Sequence, residues 1–183
     1  MSKVLVPLAN GCEELEAVTV IDLLRRAGVT VVTAGLEAGP VKASRGVTLV
    51  PDTTMAEAGD EEYDMVVLPG GLPGADYLAA DTRVNDILRR TAKAGRITAA
   101  ICAAPKVLAG AGLLKGKRIT AYPGSLDPAT VPDTEITGGV VEIDGSVITS
   151  RGPGTAMDFA LELIGALEGQ AKRDEVEAEL VRP

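Results

Sequence analysis

The chain has 183 residues, carries 26 acidic against 18 basic side chains for a net charge of −8, and contains no histidine. That acidic balance argues against a phosphate backbone or an anionic membrane as partner, and one Phe, three Tyr and no Trp cannot build a base-stacking platform. The absence of histidine removes every Cys–His or Ser–His catalytic pair and every His-ligated metal site within the chain.

A composition that is 46 % hydrophobic and 24 % charged suits a folded protein, and a domain of this length buries roughly 70 % of its unfolded surface. With no linker, repeat or low-complexity tract, one domain over residues 1–183 is expected. Lys3 to Ala9 is a continuous apolar run that meets carboxylates at once and lacks a small-residue cleavage pattern, so it reads as a first strand, not a leader. Helical spacing follows from Glu14 to Ala27 and is closed by Gly28. Val29 to Leu36 reads as a strand buried on both faces. Gly39-Pro40 opens a loop, and a short hairpin-like segment through Ser44-Arg45-Gly46 and Val47 to Val50 looks like an insertion beside the sheet. Asp64 to Leu68 predicts the next buried strand, ending at Pro69-Gly70-Gly71, and Val84 to Ala94 a helix closed by Gly95. Further strands are expected at Arg118 to Tyr122 and in a hairpin that joins Val140–Ile143 to Val147–Thr149 across Asp144-Gly145. Helices from about Ala156 to Leu167 and Lys172 to Leu180 complete the chain, and no run reaches the roughly 18 apolar residues of a membrane span.

Strands that alternate with helices predict an α/β fold, a mostly parallel central sheet with helices on both faces. Ligands of such sheets gather at the carboxyl ends of the strands, where four loops should converge: Asn10 to Glu16, Pro69 to Ala75, the segment at Cys102, and the turn at Tyr122-Pro123.

The segment at Cys102 carries most of the chemical information. A strand of Ile97, Ala99, Ala100 and Ile101 runs into a helix at Ala103-Ala104-Pro105 with no room for a loop, so Cys102 should occupy a nucleophile elbow. Facing the positive end of a helix, its thiol is expected to have a lowered pKa. A buried packing cysteine satisfies the same local sequence. A cytoplasmic chain keeps its thiols reduced, so Cys12 and Cys102 are both read as free. Gly70-Gly71 can place bare N–H groups where an oxyanion would sit, or can simply form a tight turn. Glu13, Glu14 and Glu16 all lie at a helix start where negative charge is favoured, and periodicity does not choose among them. Arg151 to Thr155, RGPGT, lacks the spacing of a phosphate or dinucleotide loop and reads as a turn leading into a helix.

GCEELEAVTVIDLLRRAG, ASRGV, YDMVVLPGG, AAICAAP and TSRGPGTAMDFAL occur in that order along nearly the whole chain. Together they resemble the ThiJ/PfpI superfamily, in the branch that holds the parkinsonism-associated protein deglycase and bacterial YajL. The resemblance implies a flavodoxin-like sandwich, a homodimer, no cofactor, and an easily oxidised elbow cysteine that serves as nucleophile, here Cys102. It selects Glu16 as the carboxylate that hydrogen-bonds the sulfur, and matches Gly71 and Ala103, with Gly70 beside them, to the backbone donors. Arg45 matches an arginine that reaches the site from the partner subunit. Two departures stand out. Ala103 follows the cysteine where the protease-like branch has histidine, which argues against peptidase activity, and Tyr122 stands where the parkinsonism-associated relative has histidine. Ala43 and Val50 replace that relative's other cysteines, while Cys12 is extra and could sit near Glu16 or act as loop filler.

Together these features predict a cofactor-free glyoxalase or deglycase acting on methylglyoxal, glyoxal or their early thiol and amine adducts. The alternative is an oxidative-stress sensor or redox-regulated holdase that uses oxidation of Cys102 without turnover.

Overall fold

The computed structural model describes all residues from Met1 to Pro183. In chain order the strands are β1 (Lys3–Leu8), β2 (Thr30–Gly35), β3 (Val41–Lys42), β4 (Thr48–Leu49), β5 (Thr53–Thr54), β6 (Met65–Leu68), β7 (Ile97–Ile101), β8 (Arg118–Ile119), β9 (Glu135–Ile136), β10 (Val141–Asp144) and β11 (Val147–Ser150). The helices are α1 (Glu14–Arg26), α2 (Met55–Ala58), α3 (Gly74–Ala80), α4 (Thr82–Lys93), α5 (Pro105–Gly110), α6 (Ala156–Glu168) and α7 (Gln170–Glu179).

Seven strands form the central sheet in the order β10-β11-β7-β6-β1-β2-β5. All neighbours run parallel except the β10–β11 hairpin. Alternate side chains along each strand enter two separate cores, because both faces are covered. Val4, Val6 and Leu8 of β1, with Met65, Val67, Ala99 and Ile101, pack under α1 and α6. Leu5, Val66, Leu68 and Ala100 pack on the opposite face, under α2, α3, α4 and α5. This is the α/β sandwich that the apolar runs predict.

α1 forms because Ala17, Val20, Leu23 and Leu24 bury one stripe while the acidic first turn and basic last turn suit the helix dipole. Its C-terminal Gly28 has φ 80, the left-handed backbone expected of a closing glycine. From β1 the chain moves outward through α1 to β2 and β5, then crosses back to place β6 on the other side of β1. The winding direction therefore reverses between β1 and β6, and the crevice at their carboxyl ends is where such folds hold ligands.

Some elements differ from expectation. The predicted strand from Arg118 to Tyr122 shrinks to the two residues of β8, which pairs in parallel with β9 outside the main sheet. The β10–β11 turn is Gly145-Ser146, since Asp144 is still paired with Val147. α3, unmarked by periodicity, is only seven residues long and follows the glycine-rich β6 loop. The hairpin β3–β4 does lie beside the central sheet, as a separate two-stranded unit. No helix is long and apolar enough to cross a membrane.

Candidate active site

β7 ends at Ile101, and α5 begins at Pro105 in its first turn, with Cys102, Ala103 and Ala104 between them. Cys102 has φ 63, the left-handed region that costs a non-glycine residue about 1–2 kcal/mol. Three contacts hold it there. Its N–H donates to the Ser150 carbonyl at 3.0 Å, and its own carbonyl accepts from the Tyr122 N–H at 2.8 Å and the Ser125 hydroxyl at 3.3 Å. The elbow read from the sequence is present, and its side chain is 8 % exposed at the floor of a cleft.

The three glutamates at the start of α1 divide their work. Glu13 is the N-cap, accepting from the Leu15 N–H at 3.4 Å and the Ser44 hydroxyl at 3.0 Å. Glu14 turns under the β3–β4 hairpin and accepts from the Arg45 N–H at 2.8 Å and the Ser44 hydroxyl at 3.1 Å. Burial opposes its charge, but hydrogen bonds from its own backbone, Arg45, Ser44 and Val47 outweigh that and hold the carboxyl below its ordinary range. Glu16 alone points to the cysteine. It is fully buried, and one oxygen accepts from the Gly70 N–H at 2.8 Å. Its second oxygen, Oε1, makes no well-formed hydrogen bond, while the carboxyl lies within interaction range of the Cys102 thiol.

Burial raises the Glu16 carboxyl to about 7, against the opposing effect of the Gly70 N–H and the Cys102 thiol. The thiol in turn is pushed up to about 12 by burial and by the charge and hydrogen bonding of Glu16, while the Gly71 and Ala103 N–H groups pull it down. Between those values the pair carries one negative charge, seated first on the carboxylate. The expectation of a thiol lowered by its helix end is thereby corrected. α5 is only six residues, and burial and the Glu16 carboxylate outweigh the pull of the Gly71 and Ala103 N–H groups.

Gly70 and Gly71 are required by space. A Cβ on Gly70 would lie 2.7 Å from the Cys102 Cβ and 2.9 Å from Glu16 Oε2, so bare backbone is what lets the two side chains meet. Gly71 has φ 85, and a Cβ there would run into the Glu13 nitrogen and stand 2.6 Å from the Gly11 carbonyl oxygen.

The cleft above Cys102 has a volume of about 500 Å³ and is bounded by Glu13, Arg45, Leu72, Tyr122 and Pro153 among others. All four loops expected at this sheet edge reach it. Arg45 borders the cleft of its own chain, and the half-exposed Tyr122 ring packs over Gly152. Ser44 and Ser125 were not singled out from the sequence as site residues, although ASRGV was among the recognised segments. Cys12 is fully buried and its thiol is raised to about 11, chiefly by burial, so it packs as an apolar residue in the core with α1. A second cleft of about 400 Å³ lies over the ends of β1 and β2 between Asn10, Glu37 and Tyr77, but neither cysteine lines it. No three potential metal ligands converge anywhere in the chain.

A model of the DJ-1/PfpI family matches residues 2–166. The chain belongs to the DJ-1/PfpI family. It is 47 % identical over 179 residues to protein dj-1beta of Drosophila melanogaster, covering 96 % of this chain and 95 % of that one. The crystal structure of Drosophila melanogaster DJ-1beta superposes with a TM-score of 0.94 at 43 % identity over the full length of both chains. A Caenorhabditis elegans family member, glutathione-independent glyoxalase DJR-1.2, is 36 % identical over 160 residues, covering 87 % of this chain and 85 % of that one. The DJ-1/PfpI fold thus accounts for the mostly parallel sheet and its surrounding helices.

Proposed function

We propose that this protein is a cofactor-independent glyoxalase or deglycase that converts α-dicarbonyls, or their early thiol and amine adducts, through Cys102 and Glu16. The observation that supports this reading most is the contact of a buried carboxyl of pKa about 7 with an elbow thiol at the floor of an open cleft. Such a carboxyl is available both as base and as acid near neutral pH. The name of the nematode relative, a glutathione-independent glyoxalase, points the same way.

With methylglyoxal the chemistry runs as follows. Glu16 carboxylate takes the thiol proton as the sulfur adds to the aldehyde carbon, then returns it to the new alkoxide to give a hemithioacetal. Glu16 next removes the hydrogen from that carbon, and the electron pair flows to the ketone oxygen, forming an enediolate. Reprotonation at the former ketone carbon yields a thioester, which water hydrolyses to lactate and free thiol. The aldehyde carbon is oxidised and the ketone carbon reduced, so no external redox partner is needed. Gly71 and Ala103 N–H groups, which already face the sulfur, are the donors nearest the developing oxyanion. Sensing by oxidation of Cys102 without turnover draws less support, since a thiol 8 % exposed gives peroxide little access.

Wild-type protein given methylglyoxal is expected to release lactate, and Cys102→Ser to lose at least about 10³-fold in kcat/KM. Equal rates in the two proteins, measured by lactate formation, overturn the mechanism.

We also infer a homodimer. Leu15 and Val18 of α1 are about half exposed, and Val47 and Val50 of the adjoining hairpin are 48 % and 80 % exposed, an apolar face that a second copy would cover. Sedimentation at micromolar concentration should give twice the chain mass, and a monomer there rules the dimer out.

A further inference from the structure

Tyr122-Pro123-Gly124-Ser125 lines the cleft above Cys102 as a tight turn: the Ser125 N–H donates to the Tyr122 carbonyl at 2.9 Å, and Gly124 has φ 79. Proline second and a left-handed glycine third is the pattern of a type II turn, in which the proline ring fixes its own φ and glycine takes the positive φ without a steric cost. The turn is therefore rigid before any ligand arrives. It is tied at its first residue to the nucleophile, because the Tyr122 N–H donates to the Cys102 carbonyl at 2.8 Å, and just past its last residue Leu126 is buried in the core under α3, α4 and α5.

Ser125 thus has a fixed backbone and a weakly engaged side chain. Its hydroxyl donates to the same Cys102 carbonyl at 3.3 Å, longer than an ordinary hydroxyl bond of about 2.5–3.0 Å. That carbonyl keeps its shorter bond from Tyr122, so the Ser125 hydroxyl can turn into the cleft at little cost. The other side chains on the cleft wall that could donate are engaged or placed elsewhere. Ser44 gives its hydroxyl to Glu13 and Glu14, at 3.0 and 3.1 Å. Arg45 belongs to the hairpin that the inferred dimer covers. The Tyr122 ring packs over Gly152, on the border with a neighbouring cleft of about 310 Å³.

A 1,2-dicarbonyl on Cys102 presents two oxygens. The Gly71 and Ala103 N–H groups face the sulfur and so serve the oxygen on the carbon that it attacks. The oxygen one carbon further, which receives the electron pair as the enediolate forms, needs a donor of its own. We propose that the Ser125 hydroxyl hydrogen-bonds this second oxygen and thereby selects vicinal dicarbonyls over simple carbonyl compounds. Ser125 transfers no proton; Glu16 keeps that task. The proposal rests on the reading of Cys102 as nucleophile given above.

The test uses two reversible probes that add to a thiol: 2,3-butanedione, which offers a second oxygen, and 1,1,1-trifluoroacetone, which is activated by fluorine and offers none. Affinity is read as protection of Cys102 from iodoacetamide, in borate-free buffer. Ser125→Ala should weaken butanedione about five- to tenfold and leave trifluoroacetone within about twofold, and Ser125→Thr should restore the difference. Methylglyoxal turnover, followed as lactate, should fall at least about tenfold in kcat in Ser125→Ala. The rate of iodoacetamide alkylation without probe, measured against pH, should match wild type, which a residue that merely props up the elbow would not allow. Equal weakening of both probes, unchanged butanedione affinity, or no protection of wild type by butanedione overturns the role of Ser125. Selective loss of butanedione affinity in Ser125→Ala, with no lactate formed by wild type, upholds recognition of the second oxygen and overturns the glyoxalase reading instead.

Discussion

Glu16→Gln is expected to lower dicarbonyl turnover by about 10²–10⁴-fold while raising stability above neutral pH. Glutamine keeps the size of the side chain and an oxygen for the Gly70 N–H, but it cannot move a proton. In wild type the carboxyl must be ionised to accept the thiol proton, so kcat/KM should fall with decreasing pH on a limb centred at about 7. The stability effect has the opposite sense. Burial raises the folded-state pKa from 4.5 to about 7, so the native protein holds a proton that the unfolded chain has released between those values. The contribution of Glu16 is fully present below pH 4.5 and is lost as pH rises through about 7, a change of about 3 kcal/mol. Glutamine has no such proton to lose. Urea unfolding of both proteins at pH 5 and pH 8 should therefore show the variant gaining on wild type as pH rises. Parallel stability profiles would mean that Glu16 titrates as an ordinary surface carboxyl, and the proton shuttle would go with it.

A second large effect is expected from Gly71→Ala, which adds one methyl group and should cost about 3 kcal/mol or more. Two penalties combine: the left-handed backbone at φ 85, and collision of the new Cβ with the backbone of residues 11 to 13, including the Gly11 carbonyl oxygen at 2.6 Å. None of those atoms is the end of a flexible side chain, so the whole first loop must move. That loop carries Glu13, and through Ser44 it holds Arg45 in place. For a chain of this length the midpoint of thermal unfolding should drop by about 6–12 °C. Activity should fall further than stability, because the Gly71 N–H also faces the Cys102 sulfur. A variant that melts with wild type would show that the β6 loop tolerates a side chain and that its glycine serves no steric need.

Much of this architecture was legible in the sequence because β1, β2, β6 and β7 are buried on both faces and therefore read as unbroken apolar runs. The elbow was legible for a related reason, since only a sharp turn joins Ile101 to Pro105. Short elements were not: β8 keeps two residues of an expected five, and α3 is too brief for its periodicity to register. At the site, the three glutamates could not be separated by helical spacing. What separates them is tertiary, because the β3–β4 hairpin engages Glu13 and Glu14 and leaves Glu16 to face β6 and β7. The thiol pKa was misjudged for the same reason. A local feature, the helix end, was visible in the sequence, while burial and the carboxylate neighbour arise only on folding.

The contacts that hold Cys102 in its left-handed conformation come from Ser150, Tyr122 and Ser125, all later in the chain. Cys102 is therefore made before the residues that hold its backbone. During synthesis, a nascent chain that has extruded Cys102 but not yet β11 has no Ser150 carbonyl to anchor the elbow, and its cysteine can relax to an ordinary backbone. The left-handed elbow thus depends on the C-terminal third of the chain being in place.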